Sequence, residues 1–194
     1  MSMTIRDIIE VPDKRLKTIS APVAQVSDAT RALMDDMLDT MYAANGIGLA
    51  AIQIGVAERI IVMDLKGKDA PDDEAEALEY DPLANEGPRF FVNPEITWAS
   101  DALNNYQEGC LSVPGFFDDV ERPAQCRIQF LDYDGVAQEI ECDGLLATCI
   151  QHEMDHLNGI VFLDHLSRLK RQMVLKKIRK AERDAADAAN SAAQ

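Results

Sequence analysis

Within CIQHEMDHLNG, Cys149 to Gly159, two of the chain's three histidines stand four residues apart, with an acid directly after the first. On a helix, residues i and i+4 share a face, so the imidazoles of His152 and His156 can close on a single ion. At about 100° per residue the pair centres roughly 20° from His152, which sets Glu153 about 80° to one side and Asp155 about 80° to the other. Neither acid points at the ion. The longer Glu153 can reach a water beside it and is the better base, which leaves Asp155 as an outer partner or a surface group. Two chance histidines on a half-buried helix would leave the HExxH order unexplained.

Two imidazoles leave a site open, and the same helix does not complete it. One class of HExxH protease places a histidine six residues past the second; here Phe162 stands there. Asp164 falls in a turn, Glu182 in a basic helix, and His165 is isolated near a helix start, where a structural role is commoner. Cys149 shares the histidine face at about 60°, but it sits roughly 7.5 Å along the axis from the pair's midpoint, too far for a short thiol, and reads as pocket wall. Cys110 lies in EGCLSVPG, between Gly109 and a Pro-Gly turn, the kind of loop that carries functional groups. His152, His156 and Cys110 are the best remaining set. No CxxC pair occurs and no disulfide framework is expected.

These residues need elements to hold them. Ser27 can cap a helix whose apolar positions Leu33, Met37 and Met41, with Met34 and Leu38 beside them, keep helical spacing until Asn45-Gly46 stops it. ERIIVMD (58–64) reads as a buried strand, and FFVNPEITW (90–98) as one that Pro94 makes an edge or irregular strand. Between them, 66–87 holds eight acids, Pro71 and Pro82, and reads as a solvated insertion. CRIQFLD and QEIEC alternate around the turn YDG (133–135), placing Cys126, Ile128 and Phe130, then Ile140 and Cys142, inward as core. GLLATCIQHEMDHL is an apolar helix ended by Asn158-Gly159. From about Ser167 a basic amphipathic helix fades into the frayed, alanine-rich AADAANSAAQ.

The 194 residues suit one core, and 47% hydrophobic residues is a globular value. No run approaches the roughly 20 apolar residues of a membrane span, and MSMTIRDIIEVPDKRL has no signal-peptide core, so a cytoplasmic protein is expected. Net charge is −15, yet RLKRQMVLKKIRK (168–180) holds seven bases and no acid, leaving −22 elsewhere. Strands first and helices at the ends give an α+β expectation: mixed or antiparallel sheets around the central HExxH helix, with residues 1–166 as the catalytic part and 167–194 as a basic helix and tail.

Three segments in order, GIGLAAIQIG (46–55), EGCLS (108–112) and QHEMDH (151–156), resemble bacterial peptide deformylases, and the likeness runs from about Pro12 to Lys170. The resemblance implies removal of formyl from the N-terminal methionine of new polypeptides. It implies a divalent metal on Cys110, His152 and His156, Fe(II) physiologically, with Zn(II), Ni(II) or Co(II) also suited to a soft thiolate. It implies Glu153 as general acid/base, and the Gln53 side chain and Leu111 backbone N–H as oxyanion donors. Ile47, Gly48 and Gly109 would line the substrate cleft, and Leu145, Thr148 and Cys149 the methionine pocket. Gly46 and Gly48 would let an extended peptide run close to the backbone. Thr148 departs from the larger apolar residue usual there; the acidic insertion and GFFDDVERP also depart and would adjust the cleft entrance. The basic helix would dock the enzyme on the ribosome, with Val174, Leu175 and Ile178 packed inward and Arg171, Lys177 and Lys180 outside. No membrane or DNA partner is expected. A zinc endoprotease and a non-catalytic peptide or metal binder are the competing readings.

Overall fold

The computed structural model describes residues 4–66 and 87–192, so nearly all of the expected acidic insertion lies outside the described residues. Helix α1 (Asp28–Ala43) starts where the Ser27 Oγ accepts from the Thr30 N–H at 3.2 Å. Its Met34, Met37 and Met41 are fully buried. It stops where Asn45 turns to φ 53° and the Gly46 N–H returns to the Met41 carbonyl at 2.9 Å.

Strands β1 (Gly48–Ala50), β2 (Ile60–Met63) and β3 (Arg89–Ala99) are followed by a hairpin, β4 (Leu103–Cys110) and β5 (Val113–Pro123), and by β6 (Gln125–Leu131) and β7 (Ala137–Asp143). An antiparallel sheet has the order β1-β2-β3-β6-β7, and β4-β5 forms a separate two-stranded sheet. β3 is therefore the middle strand, not an edge. It accommodates Pro94 by irregularity, with register shifts between Val92 and Glu95 and between Ile96 and Trp98. The missing proline N–H falls where the ladder is already interrupted. Asn93, at φ 52°, secures the break: its amide accepts from Val23 N–H and donates to Val23 C=O, both at 2.8 Å. β6 and β7 pair Ile128 with Ile140 and Cys126 with Cys142, and both cysteines are buried.

Helix α2 (Gly144–Leu157) crosses the large sheet, and eleven of its 14 residues are buried. Leu146, Ala147, Ile150, Met154 and Leu157 share a core with Ile61, Met63, Phe91 and Ile128; each large apolar side chain so buried contributes about 1.5–3 kcal/mol. The opposite, polar face of α2 meets the hairpin. Helix α3 (Arg168–Ala192) packs Ile178, Val174 and Leu175 against Val113, Val120 and Phe162. It is helical through Ala192, past the expected fade, as alanine's high helix propensity favours. Its base Arg171 pairs with Asp164 at 2.8 Å, Lys170 pairs with Asp118 at 2.7 Å, and Lys177 lies over the Phe116 ring. The architecture is α+β.

Candidate metal centre

His152 and His156 sit one turn apart on the polar face of α2, ring centroids 5.2 Å apart. The hairpin brings Cys110 to them. β4 and β5 pair in regular register down to Gly109 opposite Phe117, then shift so that Cys110 faces Val113. The shift takes the last residue of β4 out of the hairpin's regular register and turns its thiol toward the helix. Gly109 makes room here, since a Cβ on it would lie 2.4 Å from the Phe117 ring. The ligand atoms of Cys110, His152 and His156 all fall within 4.8 Å of one another, and Cys110 Sγ is 3.2 Å from His156 Nε2. Typical metal–sulfur and metal–nitrogen bond lengths place such atoms roughly 3.5 Å apart around a four-coordinate ion, so these residues fit one.

Burying imidazoles requires partners for their nitrogens. His152 Nδ1 meets Glu108 Oε2 at 2.8 Å, which turns Nε2 toward the cradle. His156 Nδ1 is buried without a hydrogen-bond partner among the described residues, and burial pushes this imidazole toward its neutral form, the form a ligand requires. Glu108 is gripped by Arg122, through Nε at 2.5 Å and Nη2 at 3.0 Å. Burial works against the ionised Glu108 carboxylate, but the hydrogen bonds from His152 and Arg122 outweigh it and bring its pKa down to about 2. Arg122 Nη1 continues to Asp155 Oδ2 at 2.8 Å, where His165 Nε2 also arrives at 2.7 Å.

Glu153 is the contrasting carboxyl. It is buried, its Oε2 has no partner among the described residues, and burial raises its pKa to about 7. Its room comes from Gly48, where a Cβ would lie 2.6 Å from Glu153 Oε1 and 2.9 Å from Cys149 Sγ. A Cβ on Gly46 would lie 2.7 Å from the Leu111 side chain. The two glycines thus admit groups of the chain itself, a requirement distinct from the close approach of a peptide.

Gln53 is 1% exposed in the short turn Ala51–Ile54. Its Oε1 accepts from Ala50 N–H at 2.8 Å, so Nε2 faces the other way, 3.2 Å from Ser112 Oγ and 3.7 Å from Cys110 Sγ. A cavity of about 630 Å³ opens beside Glu153, and Leu111 lines it together with Ile47, Gly48, Gly109, Leu145, Thr148 and Cys149. The Thr148 hydroxyl donates to Gly144 C=O at 3.1 Å, so its polar atom is satisfied inside the helix. Burial drives the Cys149 thiol well up, keeping it a neutral wall group outside the ligand cluster. Asp164 is likewise outside it, held by Lys17 and Arg171, and the Glu182 side chain lies outside the described residues. Sequence reasoning gave no role to Glu108 or Arg122. Glu108 opened the EGCLS segment without being given a role, and for Arg122 there was no signal.

The polypeptide deformylase family model matches residues 5–172. The chain belongs to that family. It is 56% identical over 182 residues to the peptide deformylase of Phenylobacterium zucineum, covering 92% of this chain and 97% of the relative, and 55% identical to that of Maricaulis maris, covering 93% and 96%. Among solved structures it superposes on the Ehrlichia chaffeensis peptide deformylase with a TM-score of 0.83 at 44% identity, covering 94% of this chain and 99% of that one. As a deformylase it is a hydrolase that removes the formyl group from the N-terminal formyl-methionine of newly synthesised polypeptides, and like the family it is a metalloenzyme.

Proposed function

We propose that Cys110, His152 and His156 hold the ion, that Glu153 moves the protons, and that Gln53 and the Leu111 N–H receive the developing oxyanion. The observation that carries this reading is the meeting of one thiol and two imidazoles beside a buried carboxyl on the wall of the cavity. A divalent ion held by Cys110, His152 and His156 would supply Lewis-acid polarisation of the formyl carbonyl and a water acidified toward a pKa of about 7. Glu153, buried on the cavity wall beside the ligand cluster, stands where it can take a proton at attack and return it to the departing amine. Gln53 is anchored through its oxygen, which aims its N–H₂ at the side of Cys110, and two such donors are typically worth about 3–4 kcal/mol each at the transition state. The methionine side chain enters between Leu145, Thr148 and Cys149, while Ile47, Gly48 and Gly109 flank its backbone. Fe(II) is the physiological ion in this proposal, and the soft donor set also accepts Zn(II), Ni(II) and Co(II).

In the same proposal residues 1–166 carry catalysis in the cytoplasm, and 167–194 dock the enzyme on the ribosome. Arg168, Lys176, Arg179 and Lys180 support the docking, being exposed on an otherwise acidic protein. Among the described residues no helix is long and apolar enough to cross a membrane. Formate release from a formyl-Met peptide, assayed anaerobically alongside metal content, tests the chemistry. Cleavage of internal bonds without formyl dependence would favour an endoprotease, and peptide binding without turnover a non-catalytic binder. Lys176→Glu with Lys180→Glu should weaken salt-sensitive ribosome binding while leaving short-peptide hydrolysis intact; unchanged binding at low salt refutes docking.

A further inference from the structure

We infer that Arg122 is a positioning residue that sets the span of the cradle, tying the hairpin that carries Cys110 to the helix that carries both histidines; this rests on the ligand assignment proposed above. The three ligands come from two elements belonging to different layers. Among the described residues the hairpin shares no hydrogen-bonded ladder with the five-stranded sheet, and an isolated two-stranded ribbon is only marginally stable. Cys110 lies at its least regular point, past the register shift. Something else must fix the distance from its sulfur to the two imidazoles within the few tenths of an ångström that metal geometry tolerates.

Apart from the contact between the ligands Cys110 and His156 themselves, three polar links among the described residues join the hairpin to α2. Gln151 Nε2 donates to Pro123 C=O at 3.0 Å, His152 Nδ1 meets Glu108 at 2.8 Å, and Arg122 reaches Asp155 at 2.8 Å. Arg122 is the member that holds both sides at once. Two of its nitrogens grip the two oxygens of Glu108, two residues before the cysteine ligand, and the third grips Asp155, next to the histidine ligand His156. The resulting ring runs from Glu108 through Arg122 and Asp155 along α2 to His152 and back to Glu108. A planar guanidinium fixes angles as well as distances within that ring, which a lysine ammonium does not. Arg122 and Glu108 are both buried, so water does not replace either partner cheaply. Asp155 is further steadied by His165, at the approach to α3. Arg122 is not among the residues lining the cavity, so it acts on the metal cradle without touching substrate.

The test uses metal-loaded enzyme carrying Arg122→Lys or Arg122→Met, with three readouts: metal affinity by chelator competition, the visible absorption of the Co(II) form, and separate KM and kcat for a formyl-Met peptide. Loss of an outer partner of a ligand typically costs about 10–100-fold in metal affinity. Arg122→Met should show that loss, shifted Co(II) bands and a lower kcat, with KM held within about twofold. Should Arg122→Met not fold, Arg122→Lys decides the matter, because it keeps the charge but not the fork and should lose affinity to an intermediate extent with the bands still shifted. Wild-type Co(II) bands and affinity in the lysine variant, or a lowered melting temperature alone, overturn the inference. If the wild-type enzyme itself gives no thiolate-to-Co(II) band, the ligand assignment falls, and this inference with it.

Discussion

Replacing Glu153 by glutamine should make the metal-free protein more stable while removing catalysis. The carboxyl ionises at about 7 in the folded chain against 4.5 for the ordinary group, and burial is the chief cause. Below 4.5 both folded and unfolded chains hold the proton, and the substitution changes little. Between 4.5 and about 7 the unfolded chain releases its proton while the folded chain keeps it, so the wild type loses stability as pH rises. Above about 7 the deficit is constant at about 3 kcal/mol, from 1.36 kcal/mol per pH unit of separation. A glutamine, neutral throughout, escapes it. Urea denaturation of the two metal-free proteins should show a gain of about 1 kcal/mol near pH 5.5 that grows to about 3 kcal/mol near pH 8. The melting temperature should differ by roughly 6–12 °C at the higher pH for a chain of this size. The metal-loaded variant should lose at least about 10²-fold in kcat with metal retained. A pH-independent difference, or a variant less stable at every pH, would refute the claim that this carboxyl is held against its solvation preference.

Cys110→Ala should abolish stoichiometric metal binding and Cys149→Ala should not, as read by metal analysis after dialysis; the reverse result would exchange their roles. Gly48→Ala should lower kcat and cost about 1–3 kcal/mol in denaturant unfolding, because its methyl would overlap Glu153 Oε1 and Cys149 Sγ; wild-type activity would mean that the carboxylate moves aside freely. The Fe(II) form should lose activity in air faster than the Ni(II) form, because an electron-rich thiolate beside a redox-active ion invites oxidation of both, and equal half-lives under oxygen would count against that chemistry.

What could be read directly was whatever repeats along one strand of sequence. The Ser27 cap and methionine spacing gave α1, alternation gave β6 and β7 with Cys126 and Cys142 inward, and an i, i+4 pair gave the face of α2 that carries His152 and His156. Cys149 could be set aside by axial distance alone. What depends on two segments meeting was hidden. Pro94 gives the same local signal in an edge strand as in a central strand that is bulged, and only the arrival of β6 on the far side of β3 distinguishes them. Gly48 is bare because α2 brings Glu153 against it from 105 positions away in the chain. Arg122 lies opposite Asn104 in the hairpin, while Glu108 lies opposite Asp118, so even the correct pairing would not have announced their contact. The run of bases in α3 was plain in the sequence, whereas the acids that take up Lys170 and Arg171 come from β5 and from the turn before α3.

The division of the ligands between β4 and α2 has a consequence for how the enzyme is made. A helix turn can offer His152 and His156 as soon as it forms, but Cys110 joins them only when the hairpin has docked, which closes a loop of more than forty residues. The unfolded chain has no three-ligand site, so the ion binds the native state almost exclusively and adds to its stability by mass action, about 4 kcal/mol at a free concentration one thousand times the dissociation constant. Cells short of the metal would therefore hold not only less active enzyme but a less durable one, with the hairpin the first part to open and the chain correspondingly more exposed to proteolysis.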